Sequence, residues 1–429
     1  MTRSFTHYSA RLGWVLLASI WCYQSALADS ARVLPQGRSG VFTSYYDYFN
    51  IDQRYNDDGD REDLSEDFNT SLDSSVFPLL KNLEDSPLGG FLPGGMASFG
   101  DTDIDMDLDI KIFEFEYYYG FTDKLTVGIK IPYWWVDSNV DATVNSGPDS
   151  SATVGFNTLW GTANDPYGSP AIPLSLPGSR PATDEDIQDI LGPGLTINDT
   201  PAVPGYGYSR FESWDNEGLS DIELSARYQY AKSNHLRHAF TGGLRLPTGR
   251  IDDPDNLVDI PYGGGVYWLL LRSNHDIFGY GNWGLNATFK YDIALDEDSR
   301  TVRVSDDVDQ PITDTKAMVD VDVGDLFEFD TTATYSFTQQ IAGFVRYRYK
   351  WKWENDVDGP GDLPIGTLEE ETRRMEQQYQ VGVAYSTVSK YLEGSAKVPY
   401  RVALSYRDRF DGKNAYDSQY IKGEFQLFF

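Results

Sequence analysis

From Leu125 to Trp135 the odd positions Leu125, Val127, Ile129, Ile131, Tyr133 and Trp135 are apolar, with Thr126, Gly128 and Lys130 between them. The same two-residue period returns from Asp221 to Tyr230, where Ile222, Leu224, Ala226, Tyr228 and Tyr230 alternate with Asp221, Glu223, Ser225, Arg227 and Gln229. It returns again from Ile341 to Trp353, setting Val345, Tyr347, Tyr349, Trp351 and Trp353 against Arg346, Arg348, Lys350 and Lys352. Side chains of a strand point alternately to two faces, so each segment has one oily and one polar side. Segments of about 10 to 14 residues suit a tilted strand that crosses a bilayer.

The pattern predicts twelve strands, over 41–51, 103–119, 124–140, 219–231, 237–249, 262–273, 282–295, 323–337, 340–353, 374–386, 397–409 and 416–429. An even number closes an antiparallel barrel with both chain ends in the periplasm, and ten or fourteen are the neighbouring even counts. The fold class expected is all-β, a transmembrane antiparallel up-and-down barrel. Connections after odd-numbered strands include the long segments 52–102 and 141–218, whereas those after even-numbered strands are short. This is the arrangement of extracellular loops and periplasmic turns. The apolar parity flips between Ile112 and Phe113, which predicts a bulge there or a strand that starts later.

Read back from the carboxy terminus, Phe429, Leu427, Phe425, Gly423 and Ile421 share one parity, and Phe428, Gln426, Glu424 and Lys422 share the other. A lipid-facing strand that stops on an aromatic residue resembles the terminal signal of bacterial outer-membrane barrels. The barrel-assembly machinery is therefore an expected partner through Phe429. At the other end, Arg3 and Arg11 precede an apolar run from Leu12 to Tyr23, and Ala26-Leu27-Ala28 offers small residues where a signal peptidase reads. Residues 1–28 are expected to be a cleaved secretory signal, and residues 29–429 a single barrel domain. The one cysteine, Cys22, falls in the signal, so the mature chain is expected to hold no disulfide and no cysteine metal site.

Among 429 residues, 35 Lys+Arg stand against 66 Asp+Glu, a formal charge of −31. A nucleic-acid partner, which needs a basic footprint, is excluded. Beyond the signal no run reaches the roughly 18 apolar residues of a helical span. The acidity is concentrated: the net charge is −9 over 52–102, −9 over 141–218, −3 over 250–261, −6 over 296–322 and −6 over 354–373. All five lie on the expected outer side, where lipopolysaccharide and its bridging cations are the expected neighbours. Asn56-Asp57-Asp58-Gly59-Asp60 carries carboxylates of the kind that hold hard cations. Counting back from Gly59, however, puts Arg54 at the first ligand position of the helix-loop-helix calcium pattern. A solvated loop is the leading reading over weak divalent-ion binding, and no residue is assigned as a metal ligand. Within 141–218, Thr183 is placed to cap a short helix, Asp184, Glu185 and Asp186 suit its first turn, and Gly192-Pro193 ends it. A loop this long is expected to fold over the mouth or into the lumen.

The polar faces of the strands supply the candidate bore-lining residues Lys130, Arg227, Arg245, Lys290, Glu328, Asp330, Arg346, Arg348, Lys350, Glu376, Arg401, Arg407, Lys422 and Glu424. Glu328 and Asp330 are expected to face the basic row from Arg346 to Lys352, which neighbours Glu376. Arg401, Arg407 and Arg409 are expected beside Lys422 and Glu424. Such ladders either fill a narrow barrel with ion pairs or form a charged constriction that selects solutes. Catalysis is not expected. His7 is in the signal, and His235, His238 and His275 belong in or beside periplasmic turns, away from any outer-leaflet general-base position. No cofactor motif is present: Gly263-Gly264-Gly265 stands at an expected strand start with no helix behind it, and suits a bend or close packing.

Three stretches resemble the MetA-pathway phenol-degradation family of outer-membrane proteins. They run from Glu116 to Tyr133, with Gly120-Phe121-Thr122-Asp123 at a periplasmic hairpin, from Gly218 to Tyr228, and from Gly242 to Gly249. The likeness extends from about Lys111 to the end. It implies passage of hydrophobic or aromatic compounds across the outer membrane, and no catalytic residues. The acidic segment 52–101 and the 78-residue loop 141–218 depart from short-looped members of that family. The expected function is passive transport of small hydrophobic or aromatic solutes. The alternative is a non-transporting surface protein whose acidic loops bind cations or lipopolysaccharide.

Overall fold

The structure is a computed structural model that describes residues 30–49, 51–87, 90, 96–145, 152–154, 171–173, 182–197 and 200–429. The predicted signal lies outside them. Twelve strands form the barrel: β1 (Ser39–Phe49), β2 (Ser98–Thr122), β3 (Leu125–Asn145), β4 (Ile222–Lys232), β5 (Leu236–Leu246), β6 (Trp268–Tyr280), β7 (Trp283–Ala294), β8 (Leu326–Ser336), β9 (Ile341–Lys352), β10 (Arg374–Ser386), β11 (Tyr400–Lys413) and β12 (Gln419–Phe428). Each pairs antiparallel with its neighbour in sequence, and β1 pairs with β12 to close the cylinder. The closure is clasped at its end, where Ser39 N–H donates to Phe429 O and Phe429 N–H to Ser39 O, at 2.8 and 3.0 Å.

Alternation holds as the pattern requires. Leu224, Tyr228, Phe240, Leu244, Leu285, Phe289, Val381, Val383, Leu404 and Ile421 are exposed on the outer wall. Glu223, Thr241, Asn274, Thr288, Asp330 and Gln380 are buried on the inner one.

Two expectations are corrected. No bulge interrupts β2 at Ile112: its register with β3 runs unbroken from Asp101↔Asn145 to Gly120↔Thr126 and shifts only between Gly120 and Thr122. The strand also starts earlier than expected, at Ser98. Its 25 residues span about 80 Å at roughly 3.3 Å per residue, far more than a bilayer crossing needs. The parity flips because the surroundings do. Below Ile112 the outward side chains Phe113, Tyr117 and Tyr119 meet lipid, while above it the inward Ile104, Leu108, Ile110 and Ile112 are buried. Asp101, Asp103, Asp105, Asp107 and Asp109 then point out into water.

The second correction concerns the sixth strand, which runs from Trp268 to Tyr280 instead of 262–273. Tyr262 dips into the mouth, and Gly249 and Gly263 pack backbone on backbone, with the space for a Cβ on Gly263 only 2.4 Å from Gly249. The periplasmic half of β6 escaped the pattern because Asn274, His275 and Asp276 are polar on both faces.

The long connections build a cap. The predicted helix is present as α2 (Asp184–Leu191), after a short α1 (Leu79–Glu84). Thr183 and Asp186 form a reciprocal capping box, and Gly192 ends the helix. It buries Ile187, Ile190 and Leu191 against Leu72, Val76, Phe77, Leu80, Phe99 and Tyr208. Arg303 ties three connections together, donating to the carbonyls of Tyr206, Pro254 and Thr313 and pairing with Asp255 at 2.7 Å. Its guanidinium lies 3.6 Å from the centre of the Tyr208 ring. The acidic run at 56–60 is a turn: Asn56 Oδ1 accepts from the N–H groups of Asp58, Gly59 and Asp60, with Gly59 at φ +91°. Among the described residues no three His, Cys, Asp or Glu side chains converge to hold a metal ion.

Candidate functional site

The bore has three levels, and the middle one carries the charge. Glu223 on β4 accepts from Arg245 at 3.0 Å and Arg272 at 3.1 Å, with Lys130 at 3.6 Å. Lys130 also reaches Glu114 at 3.1 Å, and Arg245 reaches Asp292 at 2.9 Å. Around the wall, Lys290 bridges Glu328 and Asp330 at 2.5 and 2.8 Å, and Arg348 meets Asp330 at 3.0 Å, with Arg346 at 4.0 Å. Glu376 gathers Arg409 at 2.8 Å, Lys350 at 3.5 Å and Arg407 at 4.0 Å. Lys422 pairs with Glu424 at 3.2 Å and sits over the Tyr46 ring.

The expected pairing of Glu328 and Asp330 with the basic row of β9, and of that row with Glu376, is therefore present. Arg227 stands somewhat apart and donates to Thr241 Oγ1 at 3.0 Å. Three carboxylates that knit these groups, Glu114, Glu223 and Asp292, were not on the candidate roll, and neither was Arg272. Glu223 shares the inward parity of Arg227 in the alternation of 221–230, so the signal for it was available.

Above this level the bore turns apolar. Ile51, Leu64, Leu108, Ile110, Ile112, Val136 and Tyr262 form one buried cluster, flanked by Trp134 and Trp214. A recess of about 40 Å³ opens nearby in the cap among Phe68, Val144, Ile187, Leu191, Phe211 and Leu257.

Below, the chain ahead of β1 runs across the periplasmic end of the bore. Ser30 and Ala31 are buried; Ser30 Oγ donates to Asp276 at 2.8 Å, and Ala31 N–H reaches the same carboxylate at 3.2 Å. Gln229 Nε2 donates to Ala31 O at 2.7 Å, and Leu34 N–H to Thr126 Oγ1 at 2.8 Å. Gly120 makes the passage possible, since a Cβ there would stand 2.1 Å from Pro35 O. Nothing in the hydropathy of residues 30–37 signals this strap: its contacts are long-range and polar.

His235, His238 and His275 lie at the end of the barrel that carries the short turns, and His7 lies outside the described residues. His238 and His275 face outward, Nδ1 to Nδ1 at 2.7 Å, with Tyr230 stacked on His238 and Phe289 edge-on to His275. On the lipid side a depression of about 640 Å³ lies among Trp283, Tyr335, Phe337, Val345, Val383 and Leu404. The strands beneath it are paired throughout, so it is a groove in the wall and not a window.

No protein-family model matches the chain, and no curated protein does; the family resemblance read from the three motifs gains no support there. Among solved structures, an outer membrane channel from Pseudomonas putida F1 aligns over 95% of this chain and 100% of its own, with 11% identity and a TM-score of 0.50. The toluene transporter TbuX of Ralstonia pickettii aligns over 92% and 90%, with 12% identity and a TM-score of 0.32. The monoaromatic hydrocarbon channel CymD aligns over 92% and 88%, with 10% identity and a TM-score of 0.31. The first of these shares the fold, and the closed barrel places the chain in the bacterial outer membrane.

Proposed function

We propose that the barrel passively admits small apolar solutes, aromatic hydrocarbons among them, from the cell exterior. The observation that carries this reading is the change of the inward face of β2 from polar to apolar at Ile112. Where a pore for polar solutes lines its bore with polar groups, this one turns Leu108, Ile110 and Ile112 inward, with Val136 from β3, and packs Ile51, Leu64 and Tyr262 over them. The recess beside Phe68 and Phe211 continues the apolar surface toward the outside, so a solute leaving water there stays out of water as it enters. Lower down, the ion pairs and the strap fill the bore, so passage requires both that the ion pairs part and that the strap leave its seat on Asp276.

That filling is also what favours the second reading, a non-transporting surface protein. Uptake of radiolabelled toluene by proteoliposomes with lipopolysaccharide in the outer leaflet separates the two. Toluene is expected to enter faster than into protein-free vesicles, and Leu108→Asp is expected to slow it. Entry at the protein-free rate would sink the transport reading.

A further inference from the structure

His238 is the third residue of β5, and His275 stands directly opposite it on β6. Their Nδ1 atoms are 2.7 Å apart, with the ring centres at 5.0 Å and the planes inclined at 64°. Two neutral imidazoles can make that contact only if one of them supplies a proton to the lone pair of the other. A cation can stand in the proton's place.

Both rings are held from the side and open in front. Tyr230 stacks on His238 at 5.9 Å, Phe289 meets His275 edge-on at 6.1 Å, and Ser273 Oγ lies 2.9 Å from His275 Nε2. A hydroxyl in that position accepts the Nε2 proton and leaves the Nδ1 lone pair to a metal, as the outer contacts of ligating imidazoles do. Each histidine is half-exposed, and the exposed Tyr280 and Trp283 mark the membrane–water interface at this end of the wall. An ion can therefore reach the pair from water.

The separation chooses the metal. Nitrogens bound at about 2.0–2.1 Å stand roughly 2.8–3.0 Å apart at neighbouring corners of a square plane, against roughly 3.3–3.4 Å on a tetrahedron. The observed 2.7 Å is closer to the square, the geometry of Cu²⁺ and Ni²⁺, and of these Cu²⁺ binds nitrogen ligands more tightly. A turn of each ring about its Cβ–Cγ bond, a soft torsion, swings the lone pairs from one another to a shared point beside them.

We infer that His238 and His275 form a site for one Cu²⁺ ion on the outer wall of the barrel, ligated through both Nδ1 atoms. Water completes the plane, because among the described residues no third His, Cys, Asp or Glu joins the pair. The site is outside the bore and does not rest on the transport reading.

The test is titration of the detergent-solubilised protein, without a polyhistidine tag, with Cu²⁺ and with Zn²⁺, the copper followed by electron paramagnetic resonance. One equivalent of Cu²⁺ is expected to give an axial signal split by two nitrogens, and Zn²⁺ to bind at least tenfold more weakly. His238→Phe and His275→Phe should each weaken Cu²⁺ binding tenfold or more, and Ser273→Ala by a smaller factor. His235→Gln should leave it unchanged, since that ring is committed to Phe278 O at 3.1 Å.

Equal affinity for the two metals, wild-type Cu²⁺ affinity in either phenylalanine variant, or an equal loss in His235→Gln would overturn the site. If the phenylalanine variants fail to assemble, the wild-type spectrum decides: splitting by fewer than two nitrogens overturns the assignment.

Discussion

Glu223→Gln tests whether the middle of the bore is a dry ion-pair lattice. Glu223 is 7% exposed and faces three cations. The substitution keeps the shape and removes the charge. Lys130 retains Glu114 at 3.1 Å and Arg245 retains Asp292 at 2.9 Å, whereas Arg272 loses its 3.1 Å carboxylate contact. Removing one partner of a buried pair costs about 3–5 kcal/mol. Because Lys130 and Arg245 each keep a second carboxylate, the low end applies, about 3 kcal/mol, or roughly a hundredfold in the folding equilibrium.

Urea unfolding in phosphatidylcholine vesicles, followed by tryptophan fluorescence, measures the loss. Adding Arg272→Gln to Glu223→Gln should recover at least half of it, because the second change removes the other end of the same pair. A single-variant loss under about 0.5 kcal/mol, the range of ordinary surface substitutions, would refute the reasoning. It would mean that water screens the Glu223 cluster and that the bore is open at this level.

The strap and the cap give two more tests. Gly120→Val places side-chain atoms where Pro35 O now lies, since even a Cβ would stand 2.1 Å away. The strap should be expelled, and hydrogen exchange at the Ala31 and Leu34 N–H groups, now bonded to Asp276 and Thr126, should speed up; wild-type protection there would show that the strap keeps its seat. The cap should loosen in acid before the barrel does. Burial raises the Asp255 carboxyl, but hydrogen bonds from Lys316 and Arg303 outweigh it and hold the group below its ordinary value. Glu84 is lowered mainly by the Ala97 N–H, against the opposing effect of burial. A carboxyl lowered by folding stabilises the folded state above its unfolded value of about 4 and stops doing so as pH falls through the folded one. Hydrogen exchange at pH 7 and pH 3, corrected for intrinsic rates, should therefore show protection lost around Tyr208 and Arg303 while β7 to β10 keep theirs. Equal protection of the cap at both values would contradict this.

Most of the barrel was legible in the chain itself. A strand that separates oil from water must alternate, and lipid enforces this on every crossing, so strand number, closure and the pairing of β8 with β9 followed from period-two parity. The helix Asp184–Leu191 was legible too, because Thr183, the acidic first turn and Gly192 act through contacts within a few residues.

What escaped was whatever depended on the medium behind a face. Parity tells that Ile112 and Phe113 point opposite ways. Only the folded cap, by placing Ile51, Leu64 and Tyr262 inside the mouth, makes inward the dry side there and turns the aspartates of β2 out to water. The strap on Asp276 and the three cations gathered on Glu223 likewise arise from residues tens to hundreds of positions apart. Closing the barrel brings them together, and no local pattern along the chain records that distance.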